Sequence, residues 1–169
     1  NYLLSCTNQD NVLWSNGIGA GFQMRVDVVH PFNLPQTWHL VKPYIDKPFQ
    51  YNNGEILSTD LLKGLMEDYY ILLVAHNDEG LQGAIVAEFI IHPQKKELFI
   101  LSWGMKDWKG YNEWSDLFEQ RLIGLALDNG CHYMSAWCRK GLAQKMVTLH
   151  GWDHSHSIVS KQVQPTGEN

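Results

Sequence analysis

Glu88 is the residue best suited to moving a proton. It interrupts an apolar stretch, residues 82–92, in which Ala84, Val86, Glu88 and Ile90 alternate with Ile85, Ala87, Phe89 and Ile91. A carboxyl held among apolar neighbours loses solvation of its charged form. Its pKa then rises, and it becomes a usable general base. A strand with one face turned to water would carry Glu88 on that face without any chemical role. The spacing leaves both readings open.

Other reactive side chains form weaker patterns. His150, His154 and His156 lie close together, and on a strand His154 and His156 would share a face. Zinc needs three or four ligands in matched geometry, so no metal site is expected. The three cysteines, Cys6, Cys131 and Cys138, are too few and too odd in number for a disulfide framework. They read as reduced thiols of an intracellular protein. Pairing Cys131 or Cys138 with His132 as nucleophile and base is disfavoured, because adjacent residues of a strand point to opposite faces.

The elements that must position these groups fit one domain. The chain has 169 residues, of which 44% are hydrophobic, with seven Trp, seven Tyr and six Phe to fill a core. A net charge of −5 and scattered basic residues argue against a nucleic-acid or anionic-membrane surface, which needs clustered Lys and Arg. No apolar run approaches the roughly 20 residues that span a bilayer. Residues 1–5 lack the basic start and long apolar stretch of a signal peptide.

Residues 1–22 are rich in Asn, Ser and Gly, yet they contain Leu3, Leu4, Val12, Leu13 and Trp14. They read as an extended N-terminal arm that docks on a partner. Residues 23–30 alternate as a strand. Trp38, Leu40, Val41, Tyr44 and Ile45 suggest a short helix, limited by Pro43 and ended by Pro48. Ser58 or Thr59 can cap a second helix, with Asp60 in its first turn and Leu61, Leu62, Leu65 and Met66 on one face. Residues 70–75, 82–92 and 97–103 form a three-strand meander, antiparallel because its turns are short.

After a loop at 104–112, Trp114, Leu117, Phe118, Leu122, Leu125 and Ala126 mark the clearest helix, with Asn112 as its cap and Gly130 at its left-handed end. Residues 132–138 read as a strand, Leu142, Met146 and Leu149 as a short helix stopped by Gly151, residues 152–163 as a last strand, and 164–169 as a polar tail. A strand that follows a helix out of the meander lies parallel to its neighbour through a right-handed crossover. The expectation is an α/β (α+β) domain over 23–163: a mixed, mostly antiparallel sheet with helices on both faces.

That element order resembles the GNAT (acyl-CoA N-acyltransferase) fold. Gly151-Trp152, closing a helix that contains Ala143, resembles the Gly-Phe pair at the end of the GNAT substrate-side helix. Ala126 to Gly130 resembles the A-x-x-x-G ending of the cofactor-side helix. Arg139-Lys140-Gly141-Leu142-Ala143, followed by Gly151-Trp152, is similar to short GNAT-like proteins of tailed phages, as is the stretch from Asp60 to Ala75.

The resemblance implies acetyl-CoA as ligand. Its pyrophosphate would rest on the segment containing Lys106, Lys109, Gly110, Tyr111 and Asn112, where backbone N–H groups meet a helix start. Tyr111, Asn112 and Trp114 are bulky where the family's loop is bare, and Asp107, Glu113 and Asp116 place negative charge near the phosphates. The family's usual acid, a tyrosine four residues before the Gly-Phe pair, corresponds to Val147. Glu88 remains as base and Tyr133 as substitute acid. These departures lead to the expectation of a phage-type, catalytically degenerate GNAT-fold protein in the virion or host cytoplasm. It would act as a virion or assembly component through protein contacts of the 1–22 arm. The alternative is an active acetyl-CoA-dependent N-acetyltransferase.

Overall fold

A computed structural model of the chain describes residues 24–50 and 54–154. The arm at 1–22, the tail at 164–169 and all but the first three residues of the expected last strand lie outside the described residues. Residues 152–154 have no regular structure.

Five strands form one sheet: β1 (Arg25–Val29), β2 (Tyr70–Asn77), β3 (Gly80–Ile91), β4 (Lys96–Met105) and β5 (Tyr133–Ala136). They lie in sequence order. All neighbours are antiparallel except β4 and β5, which run parallel. The parallel pair follows from the crossover through the helix α3 (Trp108–Asp128), as expected.

Helices cover both faces. On one face α1 (Leu34–Phe49) packs on β3 and β4 and α2 (Ser58–Met66) on β2. Leu34, Val41, Ile45, Leu61 and Leu65 meet Leu72, Val74, Ala84 and Val86 there. On the other face α3 lays Trp114, Phe118, Leu122 and Ala126 on Leu73, Ala75, Ile85, Ala87, Leu98 and Ile100. The two sets alternate along β2 and β3, so the meander is buried on both sides.

Three expectations are corrected. The first helix is not a short piece bounded by prolines: α1 runs 16 residues through Pro43 and Pro48, with Pro35 in its first turn. Proline is tolerated in a first turn. The donor missing at Pro43 belongs to the carbonyl of His39, and both residues are exposed, so water can take its place. In α2, Ser58 is already helical. The start is held by Asp60, whose carboxylate accepts from the Leu57 N–H at 2.9 Å, and Met66 is 62% exposed instead of sharing the buried face. The third correction concerns Asn112. It does not cap α3, because the helix begins four residues earlier at Trp108. Asn112 is an exposed interior residue whose Oδ1 accepts from Lys145 Nζ at 2.7 Å.

The fourth helix, α4 (Lys140–His150), ends where Gly151 adopts φ +67°, a left-handed cap. The Gly151 and Trp152 N–H groups then reach back to Val147 and Met146. Trp152 continues onto α3, donating from Nε1 to Glu119 at 2.8 Å.

Candidate active site

The site begins with an irregularity in β4. Val86 pairs with Ser102 and Ala87 with Ile100, so Leu101 is an extra residue. Such a bulge bends a strand and increases its twist. On the other side of β4 the ladder with β5 covers only Glu97 to Ile100, opposite Tyr133 to Ala136. The two strands then part. Between them opens a cleft of about 930 Å³, within the usual size of ligand pockets.

Five elements wall this cleft. The last turn of α1 brings Lys47, Pro48 and Phe49, and β4 brings Phe99 to Met105. The start of α3 brings Tyr111, while Ala136 of β5, Trp137 and Cys138 just after it, and Leu142 and Met146 of α4 close the far side. α1 can lie this close only because residue 104 is glycine. A Cβ there would stand 1.8 Å from the Tyr44 carbonyl oxygen. Lys47 Nζ donates to the carbonyls of Met105 and Lys106 at 3.0 and 2.9 Å and fixes the end of β4.

The interior is largely aromatic. Trp103 packs on Tyr111 and Phe118 at centroid distances of 5.3 and 5.6 Å, and Phe99 meets Trp137 edge-on at 5.1 Å. Trp103 Nε1 is buried with no hydrogen-bond partner among the described residues. Burial pushes the Tyr111 phenol up to about 12, with help from the charges of Glu119, Cys138 and Asp116.

Of the expected phosphate-binding residues, only Tyr111 lines this cleft. Lys106 and Lys109 are exposed beside the start of α3. Gly110 lies in its first turn and Tyr111 lines the cleft. Asn112 points to Lys145. Two of the acids thought to repel phosphate have basic neighbours: Glu113 lies 3.6 Å from Lys109, and Asp116 lies 3.5 Å from His150.

Glu88 and Tyr133 share the sheet face on the α1/α2 side, one on each flank of β4. Glu88 pairs with Phe99, a cleft residue. Its carboxyl is held above the ordinary range, first by burial and then by the nearby charge of Glu97. Tyr133 does not approach Glu88. It donates to Glu97 Oε2 at 2.7 Å, and that bond raises its phenol further.

Sequence reasoning missed Glu97. The residue is 6% exposed, and its carboxylate accepts from Ser135 Oγ, Tyr133 OH and His92 Nε2. Burial pushes it up, but the three hydrogen bonds and the His92 ring outweigh that and hold it below its ordinary value. The local signal was a Glu following a Pro-containing turn with His92 on its other side.

Among the described residues no three His, Cys, Asp or Glu side chains are grouped to hold a metal ion, and no helix is long and apolar enough to cross a membrane.

No protein-family model matches the sequence, and no curated protein does. Solved structures do. A predicted acetyltransferase from Clostridium acetobutylicum, determined with acetyl-CoA, aligns at TM-score 0.63 and 13% identity over 83% of this chain and 96% of that one. An aminoglycoside acetyltransferase from an uncultured soil metagenomic sample aligns at TM-score 0.62 and 13% identity over 86% and 99%. The aminoglycoside acetyltransferase AAC(6')-Iy, in complex with a CoA-containing bisubstrate analogue, aligns at TM-score 0.62 and 12% identity over 85% and 99%.

The chain has the GNAT fold. The expected fold class is therefore correct. Identities this low carry the fold and nothing finer. Within the GNAT fold of this chain, the parting of β4 and β5 is the feature that makes a cavity out of a sheet.

Proposed function

We propose that the chain is an acetyl-CoA-dependent N-acetyltransferase with its acyl donor in the β4–β5 cleft. The observation that carries this reading is that the ladder stops at Ile100 and Ala136 while β4 runs on to Met105. A strand edge left without a neighbour offers backbone N–H and C=O groups to a ligand with amides of its own. A pantetheine arm has that chemistry. The orphaned Trp103 Nε1 is a further donor on the lining, and the first turn of α3 with Lys106 and Lys109 suits a pyrophosphate.

Acetyl-CoA, when bound, supplies an activated acyl group. The work of the chain is to hold the donor, exclude water and remove a proton from the acceptor amine. Phe99, Trp103, Trp137 and Leu142 supply the apolar walls. Glu88 is the base, since its raised carboxyl is better matched to an amine proton than an ordinary one. Tyr133 is held to Glu97 and serves less well as the acid.

Val147 favours a second reading, in which the protein binds other proteins in a virion or assembly role without turnover. It stands on α4 where the resemblance implies a tyrosine, and it is 38% exposed with no proton to give.

Calorimetry and thermal shift with acetyl-CoA test the first reading. Binding raises the melting temperature by mass action. No shift at millimolar acetyl-CoA rejects it. Binding without acetylation of any amine in a panel favours the second.

A further inference from the structure

The split between β4 and β5 is closed at one end only. At that end the His132 N–H donates to the Lys96 carbonyl at 2.8 Å, and the Lys96 N–H donates to His132 Nδ1 at 3.1 Å. Lys96 Nζ reaches the Asn129 carbonyl at the end of α3 at 2.7 Å. Four residue pairs further along, the strands are already apart. A ladder this short resists opening weakly, so side chains that bridge it matter more than they would in a long one.

Glu97 supplies those bridges. It is the first residue of β4 in the β5 ladder, opposite Tyr133. One carboxylate oxygen takes the Ser135 hydroxyl. The other takes the Tyr133 hydroxyl at 2.7 Å and His92 Nε2 at 2.6 Å. Two donors thus come from β5 and one from the turn between β3 and β4. Hydrogen bonds to a buried carboxylate are stronger than neutral ones, and a charge this buried is stable only while its donors stay in place.

We infer that Glu97 is a positioning residue: by holding Ser135, Tyr133 and His92 at the closed end of the split, it sets the width of the cleft at the open end. The inference rests on the reading of that cleft as the acetyl-CoA site. Glu97 itself touches no ligand in this account. It acts through β5, whose continuation carries Trp137 and Cys138 on the cleft wall.

The experiment is calorimetry with acetyl-CoA on the full chain, for the wild type, Glu97→Gln, Ser135→Ala and Tyr133→Phe, with melting temperatures in parallel. Each single variant is expected to raise the Kd about five- to tenfold, the scale of one ordinary net hydrogen bond. The Glu97→Gln/Ser135→Ala double variant should be little worse than Glu97→Gln alone, because both remove the same contact. A merely structural role would lower the melting temperature and the folded fraction, and would leave the Kd of the folded protein where it was. Wild-type binding with unchanged Kd in the variants overturns the inference and spares the acetyl-CoA reading. Absence of wild-type binding overturns both. If Glu97→Gln does not fold, the two hydroxyl variants decide the matter on the same criterion.

Discussion

Gly104 in β4 lies so close beneath Tyr44 in α1 that a Cβ on it would stand 1.8 Å from the Tyr44 carbonyl oxygen and 2.6 Å from the carbonyl carbon. Both contacts are backbone, so no side chain can swing aside. Pro48, four residues after Tyr44, lacks the N–H that would otherwise engage this carbonyl within the helix. Glycine and proline together let α1 settle on the wall of the cleft.

Gly104→Ala should therefore destabilise the fold by about 2–3 kcal/mol, the upper range for a methyl forced into a packed contact. It should also weaken acetyl-CoA binding, because α1 or β4 must move. Urea unfolding and calorimetry on the same variant measure the two effects.

Glu88→Gln should leave acetyl-CoA affinity near wild type and reduce turnover by roughly 10² to 10⁴, the usual contribution of a general base. Gly110→Trp should do the reverse, blocking binding at the first turn of α3. Steady-state kinetics beside calorimetry separate the two. Turnover should rise with pH as Glu88 loses its proton, with a midpoint above the ordinary value of 4.5.

Glu97 has the opposite sign. Its folded-state pKa is lowered, so its stabilisation is fully present above the ordinary value of 4.5 and is lost as pH falls through the folded value. Glu97→Gln should melt lower than wild type at pH 7, and the gap should narrow as pH falls below 4.5 toward the lowered folded value. Melting curves from pH 3 to 8 test this.

For Tyr111, the phenol is pushed up to about 12 from 10.0. The folded state holds that proton more tightly than the unfolded chain does. Its contribution is complete below pH 10 and declines between about 10 and 12. Tyr111→Phe should flatten alkaline unfolding in that window. The phenolate absorbance of the folded wild type should show one late step that the variant lacks.

Much of the frame was legible because its signals are local. The meander showed as apolar runs between short turns, and the ends of α3 and α4 showed as Gly130 and Gly151, both at φ +67°. α1 was read too short because Pro43 and Pro48 look like stops until their solvent-facing and glycine-facing surroundings are known. The start of α3 was set too late because Asp107 and Gly110 look like loop residues. Glu88 stood out as a charge in an apolar run. Glu97 did not, since Tyr133 and Ser135 lie 36 and 38 residues away and no spacing rule links them. The parting of β4 from β5 depends on a bulge with neither Gly nor Pro to mark it.

Leu101 also shifts the phase of its strand. Before it, Leu98 and Ile100 point to α3, while Glu97 and Phe99 point the other way. Beyond it Ser102 reaches the Ile45 carbonyl and Gly104 meets Tyr44, both on α1, while Trp103 and Met105 face α3. Were Leu101 built into an unbroken pleat instead of bulged out, the two layers would be exchanged for the distal half of β4. The indole of Trp103 would then face α1, and the smallest residue of the strand would face α3. The bulge thus absorbs one extra residue and keeps both halves of the strand facing the same pair of helices.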